Sequence, residues 1–144
     1  MGKNFFNCSK VGAGQIAKAC NNMALAIEMI AVSEALALGK NLGMDVSILS
    51  SIMKVSSSRC WSVDTNNPVP GDLQNVPASR NYDGGFACDL MLKDLGLAIE
   101  AARESNSKTE LGDKSKDIYT QLSKDGYGRK DFGVIYDILA NKKY

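Results

Sequence analysis

The chain has 144 residues, with 17 basic against 16 acidic side chains, four cysteines, three prolines and no histidine. That length suits one domain whose core needs no disulfide or metal staple, and the near-neutral charge argues against nucleic acid as a partner. Without histidine, the chain alone cannot build a Ser-His-Asp or Cys-His site or a histidine-ligated metal, so acid–base chemistry near neutral pH falls to Lys, Asp, Glu, Cys or Tyr.

The first residues, MGKNFFNCSKVGAG, have neither the apolar run of a secretory signal nor the arginine-rich pattern of a transit peptide, and they fail the myristoylation pattern. From Gln15 to Leu42 the sequence is rich in Ala, Leu, Met and Glu and free of proline. This predicts one helix of about 28 residues and roughly 42 Å. Its apolar residues fall on nearly every side, so it needs partners on several faces and should form the spine of a helical domain. Glu28 and Glu34 interrupt its most apolar window, Met23 to Leu38, which argues against a membrane span. Gly43 is the expected C-terminal cap, and Asp45 starts a second helix with Val46, Leu49, Ile52 and Met53 at helical spacing.

Residues 56–85 change character and hold all three prolines, the only Trp (Trp61), Gly71, Gly84 and Gly85. Trp61, Tyr82 and the prolines favour an ordered binding loop over a linker. Helix returns from Phe86 to Glu104, with Phe86, Leu90, Leu97, Ala98 and Ala101 as its apolar stripe. Segments 108–124 and 131–140 give two more amphipathic helices, with Leu111, Ile118, Leu122, Ile135 and Leu139 expected to face inward. No repeat, low-complexity tract or convincing strand is present, so the expected fold is all-α. The cysteines, Cys8, Cys20, Cys60 and Cys88, have no C-x-x-C spacing and read as free thiols in a reducing compartment.

Gly12-Ala13-Gly14-Gln15-Ile16-Ala17 formally matches the dinucleotide fingerprint G-x-G-x-x-G/A, with Glu34 near the position of a ribose-binding acid. That motif needs a strand before it and another ending at the acid. Glu34 instead falls within a continuous helical pattern, so the glycines read as a flexible turn feeding the long helix. Lys18 sits in that helix's first turns, where the dipole disfavours a cation and eases loss of its proton. Asn21 and Asn22 share its side of the helix. A Lys–Asn pair can hold a hydroxyl or carbonyl oxygen while a proton moves; equally, Lys18 can extend to water while the asparagines bond locally. Lys93-Asp94 is the second candidate, with Lys93 two turns from Phe86 along one face, or else a plain surface pair.

Gly12-Ala-Gly14-Gln-Ile-Ala-Lys18-Ala-Cys-Asn21-Asn22 resembles the G-x-G-x-x-x-K-x-x-x-N motif of the β-hydroxyacid dehydrogenases. Ser57-Ser-Arg-Cys-Trp61-Ser, Asn67-Pro-Val-Pro-Gly71, Tyr82-Asp-Gly-Gly-Phe86 and Leu90-Met-Leu-Lys93-Asp94-Leu-Gly-Leu-Ala98 are similar to the 3-hydroxyisobutyrate dehydrogenase branch of that family, over residues 11–137 in order. The resemblance implies an all-α domain like the C-terminal domain of 6-phosphogluconate dehydrogenase, spanning residues 1–144. The family's N-terminal Rossmann domain would then be absent from the chain, and the chain alone would be inactive. It implies NAD as cofactor, a small 3-hydroxy acid as substrate, a role in valine catabolism, homo-oligomers, the mitochondrial matrix, and no metal, nucleic acid or membrane partner. By residue, it makes Lys18 catalytic, Asn22 and Gly14 substrate-binding, Lys93 cofactor-binding, and Phe86 and Asp94 active-site-adjacent. Other family branches (tartronate semialdehyde or glyoxylate reductases) and a non-catalytic helical oligomerisation module are the alternatives. Ser58 stands where the family pattern carries glycine, so its backbone is expected to avoid positive φ.

Overall fold

The computed structural model describes residues 12–141, and among these the fold is all-α. One isolated β-bridge, Ala87 to Asp131, is the only extended pairing there. Cys8 and the segment before Gly12 lie outside the described residues.

The spine is α1, Ala13–Asn41, close to the span read from the sequence. Gly12 opens it in the left-handed region at φ 86°, a conformation that suits a residue without Cβ. Gly43 closes it at φ 87°, donating to the Lys40 carbonyl while Met44 donates to that of Gly39. Asp45 then caps α2, Val46–Val55, its carboxylate accepting from the Ser47 and Ile48 amides at 2.8 and 3.1 Å. The remaining helices are α3 (Trp61–Asp64), α4 (Cys88–Glu104), α5 (Glu110–Leu122) and α6 (Ile135–Asn141). Ser123–Tyr127 extends α5 as an irregular turn broken at Gly126 (φ 92°), and a 3-10 turn, Phe132–Val134, leads into α6.

Every other α-helix packs on α1, as its apolar circumference requires. Met29, Leu36, Met91, Leu95, Ile99, Tyr119 and Phe132 form the fully buried centre. Each such side chain contributes roughly 1.5–3 kcal/mol by leaving water. By length and composition α1 is long and apolar enough to cross a membrane. Its second half nonetheless buries Ala26, Met29, Ile30, Val32, Leu36 and Ala37 against the other helices, as the core helix of a bundle does.

The stretch 56–85 is ordered by polar contacts as well as by its prolines. Asn67, fully buried, donates to Ser50 Oγ at 2.9 Å and to the Val63 carbonyl at 3.2 Å, and accepts from the Val69 amide at 3.0 Å. Asp72 takes hydrogen bonds from Ser50 and Lys54, tying the loop to α2. The Tyr82 hydroxyl donates to the Pro68 carbonyl at 2.7 Å. Ser58 is not among the residues at positive φ, as its side chain demands.

Two inward faces differ from the expectation. On α4 the buried row is Cys88, Met91, Leu95, Ala98, Ile99 and Ala102, whereas Leu90, Leu97 and Ala101 are exposed. The helix carries two apolar rows, and the one continued from Phe86 faces away from the core. On α5 Leu111 is 65% exposed, while Gly112, Ser115, Tyr119 and Leu122 face inward. Gly112 packs closely on Met23 of α1, so a side chain there would have to push the Met23 thioether aside. The buried face of α5 therefore begins on small residues that give no hydrophobic signal.

Candidate functional site

The first half of α1 and the middle of α4 bring the predicted residues together. Lys18 and Asn22 are one turn apart on α1 and both reach Asp94 of α4. The Lys18 ammonium lies 3.4 Å from each carboxylate oxygen of Asp94. Asn22 Nδ2 donates to Asp94 Oδ2 at 2.6 Å, and Asn21 Nδ2 donates to Asn22 Oδ1 at 3.2 Å. An ionised carboxylate can only accept, so Asp94 fixes the amide of Asn22: its NH2 turns inward and its carbonyl oxygen outward. The Asp94 side chain is only 10% exposed and that of Lys18 is 59% exposed. Lys18 thus reaches water, as a long basic side chain does, yet its charge is held by a nearly buried anion.

Beside this cluster lies an open cavity of about 320 Å³, lined by Gln15, Ile16, Lys18, Ala19, Asp94, Leu97 and Ala101. The exposed row of α4 is its apolar wall. The arrangement sets the Lys18 ammonium and the Asp94 carboxylate against a mainly apolar surface, which suits a small molecule with a polar head and a short carbon skeleton. Ile16 and Gln15 belong to this wall too; the sequence signal for them was only their place one turn from Lys18.

The other predicted residues are less tightly joined. Gly14 is in the first turn of α1 and exposed; the left-handed glycine at the turn is Gly12, with Gly14 already helical. Lys93 is exposed, one turn before Leu97 on the same side of α4, and has no ion-pair partner among the described residues. Phe86 precedes α4, half-buried, its ring edge-on to Phe132 at 6.0 Å. No contact between Phe86 and Lys18 is formed. Glu34 lies inside α1 and not at the end of a strand, so it does not take the place of the ribose-binding acid in that pattern.

The thiols divide by burial. Cys20, Cys60 and Cys88 are free. Cys88 is enclosed in the core, and loss of solvation pushes its thiol up to about 12. Burial also raises Cys60, assisted by the nearby Glu28 carboxylate. No group of three or more metal-ligating side chains occurs among the described residues.

Comparison with known proteins gives this geometry a context. Residues 12–139 match the family model described as NAD-binding of NADP-dependent 3-hydroxyisobutyrate dehydrogenase. The probable mitochondrial 3-hydroxyisobutyrate dehydrogenase of Dictyostelium discoideum is 50% identical over 144 residues, covering 100% of this chain and 44% of that protein. The human mitochondrial 3-hydroxyisobutyrate dehydrogenase is 48% identical over 143 residues, covering 99% and 43% respectively. The solved structure of Mycobacterium tuberculosis 3-hydroxyisobutyrate dehydrogenase with L-serine superposes with a TM-score of 0.85 at 40% identity, over 89% of this chain and 44% of that one. A 3-hydroxyisobutyrate dehydrogenase from Salmonella typhimurium shares the fold, with a TM-score of 0.75 at 23% identity over 88% and 42%. The chain spans less than half the length of these relatives.

Proposed function

Since the chain belongs to the 3-hydroxyisobutyrate dehydrogenase family, we propose that it is the helical, lysine-bearing part of an enzyme that oxidises 3-hydroxyisobutyrate to methylmalonate semialdehyde with NAD. The observation that carries this reading is the convergence of Lys18 and Asn22 on Asp94 beside a small, mostly apolar cavity. L-serine, named with the mycobacterial relative, is itself a 3-hydroxy acid and fits the same chemistry.

Oxidation of the substrate's alcohol carbon removes a hydride from carbon and a proton from the hydroxyl oxygen. The nicotinamide, when bound, accepts the hydride. Lys18, as a free amine, takes the hydroxyl proton as the carbonyl forms, and the ammonium returns it in the reverse direction. The Asp94 carboxylate stabilises the ammonium so formed. Asn22, its NH2 committed to Asp94, holds the carboxylate that steadies Lys18 and so helps orient the substrate against the amine. The Gly14 amide lies in the first turn of α1, where the positive end of the helix favours a substrate carboxylate. Leu97 and Ala101 present apolar surface to the substrate's carbon skeleton, and Phe86 borders the site.

Among the described residues, what fits the cofactor is the exposed ammonium of Lys93, close to the cavity's wall on α4. A phosphate cradle must come from elsewhere. The proposed enzyme therefore includes a partner Rossmann domain in the longer protein, N-terminal to this helical domain, with the chain alone inactive. Homo-oligomers, a place in valine breakdown, and the mitochondrial matrix complete it; the names of the Dictyostelium and human relatives support the organelle.

The test is a substrate panel on the full-length enzyme. NAD-dependent turnover of 3-hydroxyisobutyrate is expected at a kcat/KM at least about tenfold above that for glycerate or glycolate. The opposite preference would move the chain to the tartronate semialdehyde or glyoxylate reductase branch. A folded enzyme inactive on all three would favour a non-catalytic helical module. Tight, stoichiometric NAD binding by this chain alone would overturn the division of labour between domains.

A further inference from the structure

α1 carries two adjacent asparagines, Asn21 and Asn22, in a stretch otherwise made mostly of Ala, Leu and Met. Asparagine is a poorer helix former than any of these, because its amide competes with the backbone for hydrogen bonds. The pair does nothing for the helix itself, and its amides are spent elsewhere. Asn22 Nδ2 donates to Asp94 Oδ2 at 2.6 Å, and Asn21 Nδ2 donates to Asn22 Oδ1 at 3.2 Å. Side chains at neighbouring helical positions do not ordinarily face each other. These two lie one turn after Lys18, on either side of its row, and helical side chains lean back toward the N-terminus. They therefore meet on the side of α1 that carries Lys18.

This contact pins Asn22 at both ends. Its amide is planar, so its NH2 and its carbonyl oxygen turn together. Asp94 accepts at the NH2 end while Asn21 donates at the carbonyl end. A flipped Asn22 would set oxygen against the carboxylate and NH2 against NH2. Donation into the carbonyl also polarises the amide and strengthens its NH2 as a donor to Asp94. That carboxylate is the one that holds Lys18: its side chain is 10% exposed, and the ammonium lies 3.4 Å from each of its oxygens. Among the described residues no hydrogen bond joins Asn21 directly to Asp94 or Lys18. Asn21 acts on them only through Asn22.

We infer that Asn21 is a positioning residue for proton transfer, locking the Asn22 amide so that Asp94 holds the Lys18 nitrogen in one place. This rests on the reading of Lys18 given under the proposed function. Its weight falls on kcat more than on KM, because Asn21 is not part of the cavity lining beside Lys18.

Asn21→Asp is the informative change, since it keeps the shape and removes the donor. A carboxylate there accepts from the Asn22 NH2 and draws it off Asp94, whereas Asn21→Ala leaves the Asn22 carbonyl to water. In the full-length enzyme kcat is expected to fall about tenfold for Asn21→Asp and about threefold for Asn21→Ala, with KM within about twofold. Asn21 is exposed, so both variants should melt within a few degrees of the wild type. In an Asn22→Ala background Asn21→Asp should change kcat by less than about twofold, because its only route is gone. By NMR of this chain, the Asn22 side-chain proton bonded to Asp94 is expected downfield of ordinary amide protons, and Asn21→Asp should abolish that shift.

Three results would each overturn the inference: Asn21→Ala as damaging as Asn21→Asp, an unmoved Asn22 proton, or a penalty that persists without Asn22. The last would mark a charge acting on Lys18 through space. A wild-type enzyme inactive on 3-hydroxy acids would instead remove the reading of Lys18, and the NMR measurement would still decide whether Asn21 holds Asn22.

Discussion

The two halves of α1 are built from similar residues and do different work. From Ala13 to Leu25 no residue is fully buried, although Ile16, Ala17, Ala19, Met23 and Leu25 are as apolar as the residues of the second half. From Ala26 onward Met29, Ile30, Val32, Leu36 and Ala37 disappear into the core. The boundary is where the other helices close around α1, not where composition changes. The open half carries the charge and the amides, with Lys18 and Asn22 both engaging Asp94. The same apolar residues thus serve as core in one half and as the rim of a cavity in the other.

Substitutions should separate the halves cleanly. In the open half, Lys18→Ala in the full-length enzyme is expected to lower kcat about a thousandfold, the scale of a positioned acid–base group. The melting temperature should stay within a few degrees, because Lys18 is mostly exposed. In the closed half, Leu36→Ala should do the reverse. Leu36 is fully buried, and its truncation is expected to remove about 3 kcal/mol of stability in urea unfolding while activity per folded molecule is retained. Loss of activity without loss of stability in the Leu36 variant would break the division. Between these lies Asp94→Asn, expected to reduce kcat/KM about tenfold, because the uncharged amide leaves one acceptor oxygen where Asn22 and the Lys18 ammonium now share two. Unchanged kinetics would show that Asp94 does not orient the pair.

The helices were legible in the sequence because their signals are local. Proline-free Ala, Leu and Met marked α1, Asp45 marked the start of α2, and Gly43 marked the end of α1. Lys18, Asn22 and Asp94 were each legible as candidates, but their meeting was not. Lys18 and Asp94 are 76 residues apart, and nothing in a helical period says which face of α4 will turn toward α1. Of the apolar stripe read on α4, Ala98 lies in the core, whereas Leu97 and Ala101 wall the cavity and Leu90 is exposed.

A smaller effect concerns the closed half at high pH. Cys88 ionises near 9 in an unfolded chain but is held up to about 12 by burial, and burial raises Tyr82 and Tyr119 as well. Unfolding above pH 9 therefore releases protons that the native state retains, so stability falls as pH rises from about 9 toward 12. Thermal melts across that range should show the decline, and Cys88→Ala should make it shallower by up to about one proton per molecule. An unchanged slope would mean the thiol is not buried as described.

The smallest expected effect tests the face of α5. Leu111→Ser would be severe if Leu111 lay in the core, because it would bury a hydroxyl and open a cavity. With the side chain 65% exposed, the change should shift stability by no more than about 0.5 kcal/mol. Tyr119→Ala, two turns further along the inward face and fully buried, should cost several times as much. It removes an aromatic ring packed beside Phe132 and a hydroxyl that donates to the Phe132 carbonyl. Comparable losses from the two variants would mean that α5 is rotated about its axis. Gly112 would then no longer face Met23, whose flexible side chain packs closely on it.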